Sequence, residues 1–213
     1  MTTLVRSTFL SHIPEPCLNS QIPVVEVQAY PGVLEIRRTG LGLISVVLLL
    51  LNGCTGVPEG VQPVSGFELN RYLGKWYEIA RLDHSFERGL TQVSAEYVLR
   101  DDGGVKVINR GYSVDDNSWK LAEGKAYFVD QPDEGYLKVS FFGPFYASYV
   151  VFELDPEYRY AFVTGPDRSY LWLLSRTPEA PPAVMTRFVV QAKGLGFNVD
   201  GLIRVSHGEA AHE

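Results

Sequence analysis

Two side chains far apart in the chain are suited to hold each other. Trp76 stands in Gly74-Lys75-Trp76, at the start of an alternating run, and Arg176 ends Tyr170-Leu-Trp-Leu-Leu-Ser-Arg176. An indole face and a guanidinium can stack, a contact worth up to about 2 kcal/mol once water is excluded. Gly74 lets the chain turn tightly ahead of the tryptophan, because glycine alone takes positive φ without strain. Residue types that perform covalent chemistry are sparse by comparison. His84 and Glu87 are spaced like a pair, but they lie in a short loop with no third metal ligand, and His84 reads as a surface histidine. The two cysteines, Cys17 and Cys54, both precede the regular alternation. That region therefore has no internal disulfide, thiolate metal site or thiol nucleophile. It holds no Gly-x-Ser-x-Gly turn, His-Glu-x-x-His pair or glycine-rich phosphate loop. A formal charge of -6 without a basic cluster leaves no footprint for nucleic acid. The pattern points to binding rather than catalysis, with no metal and no cofactor expected.

The scaffold that must position these residues reads as all-β. Hydrophobics at 46% and aromatics at 12% support a well-buried core rather than disorder. Apolar-polar alternations recur near 75–83, 91–100, 104–113, 118–129, 136–142, 147–154, 159–165 and 170–176. Turn chemistry divides them, as in Asp101-Asp-Gly-Gly104, Asp115-Asp-Asn117, Asp130-Gln-Pro-Asp133, Gly143-Pro144 and Asp155-Pro156. Strands in this number can close on themselves, leaving no unpaired edge and room for one small ligand. A two-sheet sandwich is the rival architecture. After Pro178 and Pro181-Pro182, residues Val184, Phe188, Ala192 and Leu195 recur at helical spacing, with Val189 beside them and Gly194 and Gly196 as stop signals. That face is expected to pack outside the barrel, followed by a short strand at Leu202–Val205.

Taken in order, Gly74 and Trp76 on the first strand, Gly165-Pro166-Asp167, and Arg176 on the last strand resemble the lipocalins. The wording is most similar to the bacterial outer-membrane lipoproteins of that family, which are apolipoprotein D-like, and the resemblance runs from about Phe67 to Val205. It implies an eight-stranded antiparallel up-and-down β-barrel, or calyx, with one C-terminal α-helix packed outside. It also implies that Trp76 and Arg176 plug the closed end. Alternation then turns Glu78, Ala80 and Leu82 inward with Trp76, and Trp172 and Leu174 inward with Arg176. An inward Glu78 is costly without a partner, for which a Tyr hydroxyl or Arg176 is expected. The family's phase on the other strands selects Ala95 and Tyr97, Val107 and Asn109, Ala126 and Phe128, Val139 and Phe141, and Tyr149 and Val151. Candidate ligand contacts are Tyr97, Val107, Phe128, Val139, Phe141, Tyr149 and Trp172, with Tyr146 near the mouth. Gly74, Trp76, Gly165, Asp167 and Arg176 are expected to be structural. Phe86, in the loop after the first strand, is either a lid or an anchor.

Upstream, Arg37-Arg38 precede Leu41–Leu51, an apolar run broken by one serine. This is the form of a secretory signal, and the run is shorter than the roughly 20 residues that span a bilayer. It ends in Leu51-Asn52-Gly53-Cys54, which resembles the lipobox at which bacterial lipoproteins are cleaved and their cysteine acylated. Thr55 follows, where an Asp would favour the inner membrane. The expected division is a leader over 1–53 (a signal peptide over 37–53), a Gly- and Pro-rich tether over 54–66, the barrel over 67–206 and a tail over 207–213. Residues 1–36, with Pro14, Pro16, Pro23 and Pro31, reflect either a start codon assigned too far upstream or a genuine long leader. The resemblance implies an outer-membrane protein, anchored through lipidated Cys54 and facing the periplasm. It implies a small hydrophobic ligand, a fatty acid or lysophospholipid, bound, stored or transported for membrane maintenance under stress, and it admits a homodimer. Two rivals within the family are an isomerase or de-epoxidase and a haem or carotenoid binder.

Overall fold

The computed structural model describes residues 55–208; Cys17, the apolar run, Cys54 and residues 209–213 lie outside the described residues. A one-turn helix, α1 (Leu69–Tyr72), leads into β1 (Gly74–Arg81), β2 (Leu90–Leu99), β3 (Val105–Ser113) and β4 (Ser118–Phe128). Then come β5 (Tyr136–Ser140), β6 (Ala147–Leu154), β7 (Tyr160–Thr164) and β8 (Leu171–Ser175). The helix α2 (Pro182–Gly194), a short 3-10 turn (Val199–Gly201) and β9 (Ile203–Arg204) complete the chain. All the main strands fall where alternation and turn residues place them.

Consecutive strands pair antiparallel in the order β2-β3-β4-β5-β6-β7-β8-β1, and β1 pairs back to β2 with Gly74 opposite Tyr97. That last ladder closes the sheet into a barrel and rules out a sandwich. Beyond Tyr77, β1 leaves β2, and β9 pairs with its far end, Ala80 opposite Arg204.

The barrel wall separates two cores. The outer one lies under α2, which begins at Pro182, where a missing N–H costs nothing. Its Met185, Phe188 and Ala192 pack on Phe162, Leu171 and Leu173, and the Phe188 and Phe162 rings are 5.0 Å apart. Val184 and Leu195 sit at the margin of this face, and Gly196, at φ +83, ends the helix. The inner core holds Trp76, Tyr97, Val107, Val151 and Val163.

One part of the expected phase is wrong. The register of β1 against β8 shifts between Glu78 and Ala80, a β-bulge that inserts one residue and reverses the alternation beyond it. Ala80 and Leu82 therefore point into the helix-side core rather than the interior. Arg81 turns inward in their place, opposite Trp172.

Residues 55–66, expected as a free tether, lie along the barrel wall. The Tyr136 hydroxyl donates to the Thr55 carbonyl, and Ser148 donates to the Gly56 carbonyl at 2.6 Å. Val61 is buried against the outer core, and Val64 N–H donates to the Val151 carbonyl at 2.9 Å.

At the closed end the Arg176 guanidinium carbon sits 3.9 Å from the centre of the fully buried Trp76 ring. The guanidinium also donates to the carbonyls of Arg71 at 2.7 Å, Lys75 at 2.9 Å and Tyr158 at 3.3 Å. Trp76 Nε1 donates to the Tyr72 carbonyl at 2.8 Å. Gly74 takes φ +90 in this turn, and a Cβ there would stand 3.6 Å from Arg176. Arg176→Ala removes a stack and three hydrogen bonds from a charged donor. We expect it to lower the free energy of unfolding by about 3 kcal/mol in urea titrations.

Candidate ligand-binding site

At the base of the interior, three phenols satisfy one another. Tyr149 Oη lies 2.6 Å from Tyr72 Oη and 2.7 Å from Tyr97 Oη. Burial raises the pKa of all three well above the ordinary tyrosine value, so they remain neutral. Hydroxyls paired in this way can face an apolar cavity without requiring water.

Above them the wall is apolar. Val107, Phe128, Val139, Phe141 and Trp172 face inward as expected. Val105, Leu137, Ala161 and Val163 face inward too and were not selected. One more step of the same alternation, from Val107 to Val105 or from Val139 to Leu137, would have found two of them. Ala95, Phe128, Val139, Phe141, Tyr149 and Trp172 point into the barrel yet stay only partly buried. The helix-side Phe162, Leu171, Leu173 and Phe188 are all at 0% exposure. The inner core has members at 0% as well, among them Trp76, Val151, Ala161 and Val163.

Tyr146 does not join the lining. Its ring packs 6.5 Å from Tyr127 and 5.5 Å from the Lys138 ammonium, both on the outward face. The turn ahead of it resets the alternation, which phase reasoning cannot follow. Asn109 does face inward, and its Oδ1 is buried without a hydrogen-bond partner.

Toward the mouth the wall holds a buried charged knot that the regular alternation concealed. Arg81 donates to Glu78 Oε1 at 2.7 Å and to the Glu87 carbonyl at 2.9 Å, with both side chains of the ion pair nearly inaccessible. Arg81 is thus the partner of Glu78, in place of the expected Tyr hydroxyl or Arg176. Glu87 Oε2 accepts from Trp172 Nε1 at 3.1 Å, and its carboxyl lies within electrostatic reach of that of Glu78. Burial, then the Glu87 charge, pushes Glu78 well above the usual carboxylate range, and burial raises Glu87 as well. Two carboxyls around one guanidinium thus retain a proton between them, which keeps the knot near neutrality.

His84 is buried rather than on the surface. It stacks with Tyr170 at 4.9 Å and Phe86 at 5.3 Å and lies 4.7 Å from Trp172. Burial, then the Arg81 charge, lowers its pKa to about 4. Gly165 and Asp167 shape this rim: a Cβ on Gly165 would stand 2.8 Å from the Tyr170 Cβ, and Asp167 Oδ1 accepts from Ser169 N–H at 2.8 Å. Among the described residues, no three His, Cys, Asp or Glu side chains gather as a metal site.

A closed antiparallel barrel with an outer C-terminal helix and an Arg-on-Trp plug at its base defines the lipocalins. The chain belongs to that family: the model of a lipocalin-like domain matches residues 67–207. It is 65% identical over 158 residues to outer membrane lipoprotein Blc of Vibrio cholerae, covering 74% of this chain and 92% of that protein. It is 56% identical over 148 residues to the protein of the same name from Escherichia coli K12, covering 70% of this chain and 84% of that one. Insecticyanin from the tobacco hornworm Manduca sexta shares the fold, with a TM-score of 0.56 at 22% identity over 73% of this chain and 89% of its own. The chain is an outer-membrane lipocalin of the bacterial lipoprotein type.

The knot carries a signed pH dependence. Carboxyls with raised folded values contribute stability that is full below the ordinary value of 4.5 and lost as pH rises through those folded values. His84 acts oppositely, its contribution present above 6.5 and lost as pH falls towards about 4. Glu78→Gln removes part of the first effect and leaves the second. Urea titrations from pH 4.5 to neutrality are expected to show unfolding free energy falling less steeply with rising pH than in the parent. Parallel profiles for the two proteins would mean that Glu78 titrates normally.

Proposed function

We propose that the chain is a lipid carrier whose calyx takes the acyl chain of a fatty acid or lysophospholipid. Acyl groups on Cys54 hold it to the outer membrane, facing the periplasm. It stores or transports such lipids for membrane maintenance under stress, without catalysing a reaction. One observation carries this reading: the barrel wall is apolar on its inward face, and six inward side chains, Ala95, Phe128, Val139, Phe141, Tyr149 and Trp172, are only partly buried. An acyl chain entering such a cup gains roughly 25 cal/mol for each Å² of apolar surface removed from water. A barrel of this strand number has room for one small ligand. The paired phenols at the base and the neutralised knot in the wall let the chain pass polar groups that do not compete for it. The names of the two bacterial relatives support both the membrane address and the lipid anchor.

Native mass spectrometry of protein extracted from its own membranes is the direct test, with a retained single-chain lipid expected. Its mutational partner is Val139→Trp, which adds bulk at a partly open inward position. Trp172→Ala is the poorer probe, since its indole N–H also holds Glu87. In displacement of a fluorescent fatty acid, Val139→Trp is expected to weaken binding about tenfold or more, the equivalent of roughly 1.4 kcal/mol, with the melting temperature preserved. Lipid-free protein together with unaltered binding by this variant would remove the carrier reading.

A further inference from the structure

The three exposed phenylalanines lie at one end of the barrel, whereas Val98, Leu99, Val190 and Ile203 are exposed elsewhere. The β5–β6 loop, Phe141-Phe-Gly-Pro-Phe-Tyr146, contains no charged residue, and its Phe142 is 81% exposed and Phe145 66% exposed. At the same open end the β1–β2 loop presents Phe86 at 59% exposure. Phe86 also stacks on His84, whereas Phe142 and Phe145 stand in water on the tip of a turn, and aromatic groups partition favourably to the membrane interface.

The chain start runs along the β5–β6 wall, where the Tyr136 hydroxyl donates to the Thr55 carbonyl, and reaches toward this end at Gly56. The Gly56 carbonyl accepts from Ser148, which directly follows the β5–β6 loop within β6. A Cβ on Gly56 would stand 3.6 Å from the Pro166 carbonyl, on the β7–β8 loop of the open end. Cys54 is one residue before Thr55, about 3.8 Å of chain. The docked strap of residues 55–66 therefore fixes where a lipid on Cys54 would emerge, which a free tether would not.

We propose that the open rim is a bilayer-docking surface, with the β5–β6 loop inserting Phe142 and Phe145 among the lipids and the calyx mouth facing the membrane. The choice of a bilayer rather than a protein partner rests on the lipid-anchored reading of Cys54. An anchor there brings the β5–β6 and β7–β8 loops together toward the membrane that holds it.

The test returns protein extracted from its own membranes to vesicles of phosphatidylethanolamine and phosphatidylglycerol. Phe142→Cys and Phe145→Cys each carry an environment-sensitive dye, as does Asp101→Cys, on the exposed β2–β3 turn at the opposite end. Dye at positions 142 and 145 is expected to shift to the blue and to be quenched by spin-labelled acyl chains, with neither change at 101. An equal response at all three positions, or none at any, overturns the proposal. So does a blue shift at 142 and 145 that acyl-chain quenchers do not reach, which would indicate a protein partner. Phe142→Ser combined with Phe145→Ser is expected to slow lipid uptake from vesicles at least tenfold. Binding of a soluble fatty acid without vesicles should stay at the parent value. That vesicle-free binding reports on the calyx alone: its loss in the parent, with docking intact, would remove the carrier reading and leave the docking standing.

Discussion

A sheet becomes a barrel only where its first strand pairs with its last as well as with its second, and here that strand is β1. It pairs with β2 through Gly74–Tyr77 and with β8 through Tyr77–Arg81, so one eight-residue segment carries the seam. The lower part of the seam is clamped by Arg176, which sits on the Trp76 ring and reaches carbonyls in α1, β1 and the β6–β7 turn. No ladder hydrogen bond could tie those segments together, because they do not lie side by side in the sheet. A planar guanidinium that stacks and donates in several directions at once can do so, and a lysine cannot.

The upper part of the seam uses the bulge. In a regular strand, Glu78 and Arg81 would point to opposite faces, and an inward carboxylate would stand alone in an apolar interior. One inserted residue brings both to the same side, at 2.7 Å. The same insertion sends Ala80 and Leu82 outward to the helix-side core. A single irregularity therefore serves both faces of the wall. The cost is two carboxyls competing for one guanidinium, met by a retained proton and by the indole N–H of Trp172. Trp172 is consequently less a free ligand contact than a wall element with one face on the cavity.

Much of this fold was legible because strand alternation and turn residues are local signals. Asp101-Asp-Gly-Gly104 and Gly143-Pro144 mark their turns without any knowledge of the partner strands. The Arg176–Trp76 plug was legible only through the ordered signature, since nothing local couples the two residues. What escaped depended on register. The bulge after Glu78 leaves no mark in Tyr77-Glu-Ile-Ala-Arg81, where each residue suits a regular strand, so Ala80 and Leu82 were assigned the wrong face. Tyr146 lies near the mouth, but its ring turns to the outward face because it follows a turn that resets the phase. Residues 55–66 read as a tether because Gly and Pro suppress periodicity, yet a segment can dock through its carbonyls, as Thr55 and Gly56 do, with no pattern in its side chains.

On the proposed reading, a carrier beside a bilayer has to compete with that bilayer for its ligand. A methylene gains about as much from leaving water in the membrane as in a calyx, roughly 0.8 kcal/mol in either place. Apolar burial alone therefore cannot draw a two-chain phospholipid out of the membrane. It can hold a single-chain lipid, which the bilayer retains with half the apolar area and which fits a barrel with room for one ligand. Selectivity for lysophospholipids or fatty acids then follows from the ligand's weaker hold on the membrane, not from a specific contact inside the cup. The wall matches that expectation, being aliphatic and aromatic with its polar groups already paired to one another, apart from Asn109 Oδ1, Arg81 Nε and His84 Nε2. A rim held at the lipid surface completes the exchange, because an acyl chain moving from bilayer to calyx then crosses little or no water.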